Sequence, residues 1–299
     1  MNTQKNISRR RFVQVAAAAG AAAGAAGIAG PLSFAQSSGQ MTARQIVEKI
    51  KANIGFPWID TGFRDTFKMG DPDTPVNAVA ACFMSTLDVI QKANKAGANF
   101  VITHEPTVWS DADTLTDAVL DDPLYYFKKD FVEKNKMIVW RIHDNWHARK
   151  PDPMGFAQDK IMGWDKYAIG TRLYKIPPTP LKTIAANMAA KLESRSIRIV
   201  GDPEMMVTTF GHGGHGLANN IEGLAPAEID AIVTSEAREV DSEEYVRDLN
   251  LSGKKKGMIL IAHEVGEEEG MVLFTSWFPT VVPGVKIVNI KTTDRMWIA

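Results

Sequence analysis

Hydrophobic positions in this chain follow two periods, and the switches between them lay out its elements. Thr42-Ala43-Arg44-Gln45 is a capping-box start, after which Ile46, Val47, Ile50 and Ile54 share one helical face that closes before Gly55 and Pro57. Val76 to Met84 is an apolar run of strand type. Ser85-Thr86-Leu87-Asp88 reads as a second capping box, and Leu87, Ile90 and Ala93 keep helical spacing up to a stop at Gly97. In Gly97-Ala98-Asn99-Phe100-Val101-Ile102-Thr103-His104-Glu105-Pro106, a buried strand over Phe100 to Ile102 runs into polar residues, and Pro106 ends it for want of an N–H. Strand, helix and strand in this order predict a βαβ unit with parallel strands and a right-handed crossover.

The rhythm continues. Asp122 as N-cap and Pro123 at the first helical position open a helix through Leu124, Phe127 and Phe131, and Met137 to Trp140 is the next strand. Residues 149–180 are rich in Pro, Gly and charge and read as a connection with little regular structure. Pro180 starts a helix through Leu181, Ile184, Met188 and Leu192, and Ile197–Val200, Met206–Phe210, Ala231–Thr234 and Gly257–Ala262 are strand candidates. Asp241, with Glu244 in the capping-box position, predicts one more helix. The pattern predicts an α/β fold of two intimately packed halves, 42–148 and 196–299 joined through 149–195, with largely parallel or mixed sheets and a site in the cleft at the strands' carboxyl ends.

Residues 1–35 read as an address rather than as fold. Ser8-Arg9-Arg10-Arg11-Phe12-Val13 is a twin-arginine pattern, an uncharged Ala/Gly-rich run follows, and Ser33-Phe34-Ala35 supplies small residues for cleavage after Ala35. The alternative, an uncleaved anchor, is weakened by the low bilayer affinity of Ala and Gly. The expected product is a periplasmic domain of 264 residues, 36–299, with no membrane attachment. Removing Lys5, Arg9, Arg10 and Arg11 takes the formal charge from −1 to −5, which excludes a nucleic-acid binder built on basic surface. The single cysteine, Cys82, cannot form an intrachain disulfide, and its apolar neighbours make it a buried, inert thiol.

All six histidines, His104, His143, His147, His212, His215 and His263, fall at predicted strand ends. One loop histidine is an ordinary polar residue; six at the carboxyl ends of parallel strands converge on a pocket with the donors that Zn, Fe, Ni or Mn take. His143/His147 and His263/Glu267 are each spaced i,i+4, which aligns two donors where the chain turns helically. Glu264, Glu268 and Glu269 are expected to be solvated at an acidic helix start. Gly211-His212-Gly213-Gly214-His215-Gly216 lacks the Lys-Ser/Thr of a phosphate loop. Trp109, Trp146 and Trp164 are candidates for pocket wall and equally for core.

The segment Gly97 to Pro106 resembles the G-A-N-L-I-V-T-H-H-P motif of the Nif-three-like proteins, a dinuclear-metal family that includes GTP cyclohydrolase type 2 homologues. The resemblance continues in Gly70-Asp71-Pro72, Tyr174-Lys175-Ile176-Pro177-Pro178, Gly201-Asp202-Pro203, Val233-Thr234-Ser235-Glu236 and Ala262-His263-Glu264-Val265-Gly266-Glu267, covering nearly all of the chain after residue 35. It implies two divalent transition-metal ions held by His104, Glu105, His147, His263 and Glu267. Two positions depart: Glu105 stands where the family has its second His, and His147 where it has Asp, so three His and two carboxylates remain. His212 and His215 also depart from small residues, and with His143 stay open as ligands or proton shuttles. The resemblance further implies a homo-oligomer, with a hexamer as the expected form.

Taken together, the sequence reads as an exported metal-dependent hydrolase of a small molecule, an amide, an ester or a heterocyclic C–N bond. Glu236, His212 and His215 are the candidates to move protons. The alternatives are a metal-handling protein without turnover and a partner-binding scaffold that functions without metal.

Overall fold

The computed structural model describes residues 39–214, 216–292 and 296–297. The twin-arginine segment and its cleavage site, residues 1–35, lie outside them. In chain order the elements are α1 (Ala43–Ala52), β1 (Phe67–Met69), β2 (Val79–Met84), α2 (Leu87–Lys95), β3 (Phe100–Glu105), α3 (Asp117–Leu120), α4 (Pro123–Lys134), β4 (Ile138–Arg141), α5 (Asp144–His147) and α6 (Pro153–Met162). They continue with β5 (Ala168–Gly170), β6 (Leu173–Pro180), α7 (Leu181–Leu192), β7 (Arg198–Val200), β8 (Met206–His212), α8 (Gly216–Leu224) and β9 (Ala231–Thr234). The last are α9 (Glu244–Leu251), β10 (Gly257–Leu260), α10 (His263–Val281) and β11 (Ile287–Asn289). No helix among the described residues is long and apolar enough to cross a membrane.

The chain divides into two compact units, the first ending at Pro153 and resuming over Met271–Thr292, the second occupying Met154–Gly270. The first holds a sheet in the order β1-β4-β3-β2-β11, in which every pair is parallel except β1 with β4. The pleat sends Ala80, Cys82, Val101 and Val139 to one face, where Val89, Ile90 and Ala93 of α2 and Val132 of α4 close a core over them. Cys82 is buried and forms no disulfide among the described residues, as its apolar setting predicts.

The second unit holds a mixed sheet in the order β5-β6-β8-β9-β10-β7. Successive residues of its central strands alternate faces. Ala231, Val233 and Ile259 pack with Leu181, Ile184 and Met188 of α7, whereas Ile232, Met258 and Leu260 pack with Leu224 of α8 and Val246 of α9. A strand buried on both sides has no polar position to show, which is why these segments read as unbroken apolar runs.

Local chemistry sets several boundaries as the sequence predicts. Thr42 accepts from Gln45 N while the Gln45 side chain accepts from Thr42 N, and Asp122 caps α4 with Pro123 at its start. Three readings change. The N-cap of α2 is Thr86, which accepts from Val89 N, while Ser85 Oγ shares a hydrogen bond with Thr107 Oγ1 at 2.9 Å. Asp241 caps no α-helix: it sits inside a π-turn, Glu239–Glu243, held by Ser242 N and Arg238, and α9 starts after it. Residues 149–180 contain α6, β5 and the eight-residue β6.

Gly70 shows how close the backbones come beside β1. It lies at φ +80°, and a Cβ there would stand 2.1 Å from the Met137 carbonyl oxygen and 2.9 Å from Ile138 Cα. Neither the backbone angle nor the space suits a side chain. Gly70→Ala is expected to lower unfolding stability by about 2–3 kcal/mol, read as a lower urea midpoint with an unchanged slope. An unchanged midpoint would mean that the β1 edge yields freely.

Candidate metal centre

The first unit gathers three histidines at the carboxyl ends of β3 and β4. β3 and β4 run in parallel with Thr103 opposite Arg141, so His104 and the residues after Arg141 emerge at the same end of the sheet. His104 belongs to β3 itself, with Phe100 and Ile102 on its face, and is fully buried. His143 is the N-cap and His147 the last residue of the single turn of α5, which converts their i,i+4 spacing into a shared direction. The rings of His104 and His143 lie 4.5 Å apart and nearly parallel, and His147 meets both edge-on at 4.9 Å. One donor atom from each of the three lies within 4.8 Å of the others.

Each ring has its Nδ1 tied to an oxygen. Ile142 O lies 3.0 Å from His104 Nδ1, Asp144 Oδ1 2.6 Å from His143 Nδ1, and both Asp152 oxygens 3.1 Å from His147 Nδ1. An oxygen acceptor at Nδ1 holds the ring proton there and leaves the Nε2 lone pair for a metal, the arrangement in which outer carboxylates and carbonyls orient ligating histidines. The donor set therefore fits a borderline transition ion. Burial opposes a charge on His143, but hydrogen bonding and attraction from Glu105, with Asp144, outweigh it and hold its pKa above the ordinary value.

Glu105, the last residue of β3, points to the other face of the strand from His104. Its Oε2 accepts from Arg141 Nη2 at 2.8 Å, and its Oε1 lies 3.4 Å from His143 Nε2. Arg141 is itself fully buried. It donates from Nε to the His104 carbonyl at 2.9 Å and from Nη1 to the Asp111 carbonyl, and it lies 3.6 Å from Asp113. Two lysines complete this buried charge network under the loop after β3. Lys68 pairs with Asp113 at 3.0 Å, and Lys128, 2 % exposed, donates to Thr107 O with its pKa pushed by burial down to about 8.

The second unit carries its own pair. At the start of α10, His263 Nδ1 lies 3.0 Å from Glu236 Oε1 and its Nε2 lies 3.2 Å from Glu267 Oε2. The same logic applies: a carboxylate holds Nδ1 and the other nitrogen faces a potential co-ligand. Glu268 and Glu269, expected in solvent, are buried, because α10 is enclosed on every side over Val265–Met271.

His212 ends β8 beneath Trp164 and Tyr174, with ring centroids at 5.9 and 5.8 Å. Arg172 Nη2 donates to its Nδ1 at 3.0 Å, so the proton sits on Nε2, which is enclosed without a hydrogen-bond partner among the described residues. Burial, and then the Arg172 charge, push its pKa well below the ordinary value. His215 lies outside the described residues. Of the three tryptophans, Trp146 and Trp164 are core, the first against Phe274 and Trp277 and the second against Tyr174 and Phe210, while Trp109 is exposed.

Sequence reasoning named His104, Glu105 and His147 in one unit and His263, Glu267 and Glu236 in the other, and each set is close-packed within its unit. It left His143 open; the structure puts that ring against His104, and its spacing from His147 was the available signal. Arg141 and Asp152 were missed, and no pattern in the sequence marks either.

The chain is similar to known proteins in both sequence and fold. The profile of Duf34/NIF3 (NGG1p interacting factor 3) matches residues 41–294. A "GTP cyclohydrolase 1 type 2 homolog" of Clostridium acetobutylicum is 24 % identical over 195 residues, 61 % of this chain and 69 % of that one. A hypothetical protein of Staphylococcus aureus shares the fold with a TM-score of 0.68 at 17 % identity, covering 87 % of this chain and 100 % of that one. A Bacillus cereus protein related to NIF3 does so with the same score and coverage at 13 % identity.

A buried neutral imidazole makes acid destabilising. With its folded pKa depressed, His212 adds no penalty above the unfolded value near 6.5, and stability falls as pH drops below it toward the folded pKa. His212→Gln keeps an acceptor for Arg172 and cannot titrate, so the fall in metal-free stability between about pH 6.5 and 5 should become shallower. Parallel acid limbs for the two proteins would show that His212 is hydrated in solution.

Proposed function

The chain belongs to the Duf34/NIF3 family, and from that premise we propose an exported metal-dependent hydrolase that acts on a small molecule. Two divalent ions, from among Zn, Fe, Mn and Ni, would be held by His104, Glu105, His147, His263 and Glu267, with His143 added to the set. The observation that carries the reading is the tethering of Nδ1 in His104, His143, His147 and His263 to Ile142 O, Asp144, Asp152 and Glu236. Four oriented imidazoles are difficult to explain by packing alone.

Bound ions supply Lewis acidity and make water a nucleophile near neutral pH. The chain's own groups do the rest. Glu236 stabilises the Nδ1–H tautomer of His263 and, being half-exposed, is placed to exchange protons with solvent. His212 and His215 are proposed as further proton carriers, and the depressed pKa of His212 makes it a carrier that stays neutral at rest. The Clostridium relative's description as a cyclohydrolase homologue supports a heterocyclic C–N bond among the candidate substrates, beside amides and esters. GTP itself suits an exported protein poorly. A homo-oligomer, a hexamer by family resemblance, is part of the same proposal.

Elemental analysis of the protein taken from its own periplasm should find two ions per chain. Chelation should remove them, and His104→Ala, His143→Ala and His263→Ala should each weaken metal affinity by about 10–100-fold with the fold intact. Full metal content in all three variants would overturn the metal reading. Hydrolysis of small amides, esters or N-heterocycles that disappears with chelation supports the enzyme; tight metal without turnover on such a panel would make this a metal-handling protein.

Export has a separate readout. Lys at both Arg9 and Arg10 should leave the precursor in the cytoplasm, and normal amounts of mature protein outside would refute the twin-arginine route.

A further inference from the structure

Glu105 is the position where this chain departs from the paired histidines of its resemblance, and it does not stand alone. Arg141, one strand over on the same face, meets its Oε2 at 2.8 Å and is fully buried. The guanidinium cannot swing elsewhere, since its other N–H groups are committed to the His104 carbonyl and to the loop at Asp111 and Asp113. Its Nε donates to the backbone carbonyl of His104 itself. The pair is therefore a fixed fork with one oxygen facing Arg141 and the other, Oε1, facing His143 Nε2 at 3.4 Å.

We propose that Arg141 is a positioning residue that turns Glu105 into the equivalent of an imidazole donor. A carboxylate left to itself offers two oxygens and a full negative charge, which suits hard ions such as Mn and Mg. With Oε2 held and its charge balanced by the guanidinium, residue 105 presents one oxygen and an ion pair of zero net charge, as a neutral ring nitrogen would. The site keeps the preference of an imidazole-rich set for Zn over Mn despite the change from His to Glu. Arg141 and Glu105 act as one unit, so removing either should uncouple the other.

This inference rests on the metal reading above, and its test separates the two. Zn and Mn are competed for the full-length mature protein by equilibrium dialysis with elemental analysis, for the wild type, Arg141→Met, Arg141→Lys, Glu105→Gln and the two double variants. The wild type should favour Zn. Arg141→Met frees the carboxylate to use both oxygens, and the Zn-over-Mn ratio should drop about ten-fold, the size usual for loss of an outer partner. Arg141→Lys, which keeps the charge but replaces the rigid guanidinium fork with a single point of donation, serves if the apolar variant does not fold, and it should lower the ratio in the same direction. In the Glu105→Gln background neither change at 141 should move the ratio. An unchanged ratio in folded Arg141 variants, or an equal change with and without Glu105, would overturn the role of Arg141 while leaving the metal centre standing. A wild type that binds neither ion would overturn both.

Discussion

An imidazole can serve as a metal ligand at one nitrogen only when something decides where its proton goes. That constraint organises this molecule. The decision is made by groups of quite different origin: a backbone carbonyl at the end of β4, an aspartate in the turn of α5, an aspartate five residues beyond His147, and a glutamate after β9. The sheets bring the rings to the carboxyl ends of their strands, and these oxygens then set the direction in which each ring offers its lone pair. Parallel pairing of β3 with β4 is what makes the first step possible, because a one-residue slip would send His104 to the opposite face.

The buried charges follow from the same placement. Glu105 alternates away from His104 and, at 6 % exposure, has its charge balanced by Arg141 in the adjacent strand. Arg141 in turn holds the backbone carbonyl of Asp111 and faces the buried Asp113 side chain, which Lys68 joins. The loop after β3 is thus held by buried charges as well as by Val108, directly beside the imidazole cluster.

Much of this was legible in the sequence because both units use ordinary signals. Ala231–Thr234, the capping box of α1 and the Asp122 cap of α4 are set by residues within four positions of each other, so local pattern suffices. The segment 149–180 was not legible, for a physical reason. Its prolines suggested loop, yet Pro177 and Pro178 sit in β6 where the register to β8 shifts between Lys175 and Thr179, so their missing N–H groups leave no gap in the ladder. Asp152 was hidden with them, and its bond to His147 exists only through the tertiary fold. Arg141 ends an apolar strand and would be read as a solvated terminus; only the neighbouring strand shows that it faces inward. Glu268 and Glu269 misled in the opposite sense, since a run of acids looks like a solvent face unless the whole helix is enclosed.

Lys128 gives this network an alkaline side. Its amine is buried against Thr107 O with a pKa of about 8, whereas in the unfolded chain it would titrate near the usual value of 10.5. Between those values the unfolded chain holds the extra proton, so folding stability contributed by this group rises with pH, by about 3 kcal/mol over the whole interval. Below pH 8 the folded protein carries a confined ammonium under the loop that follows β3. A weakly basic medium relieves that confinement, so the seating of this loop carries an alkaline dependence of its own.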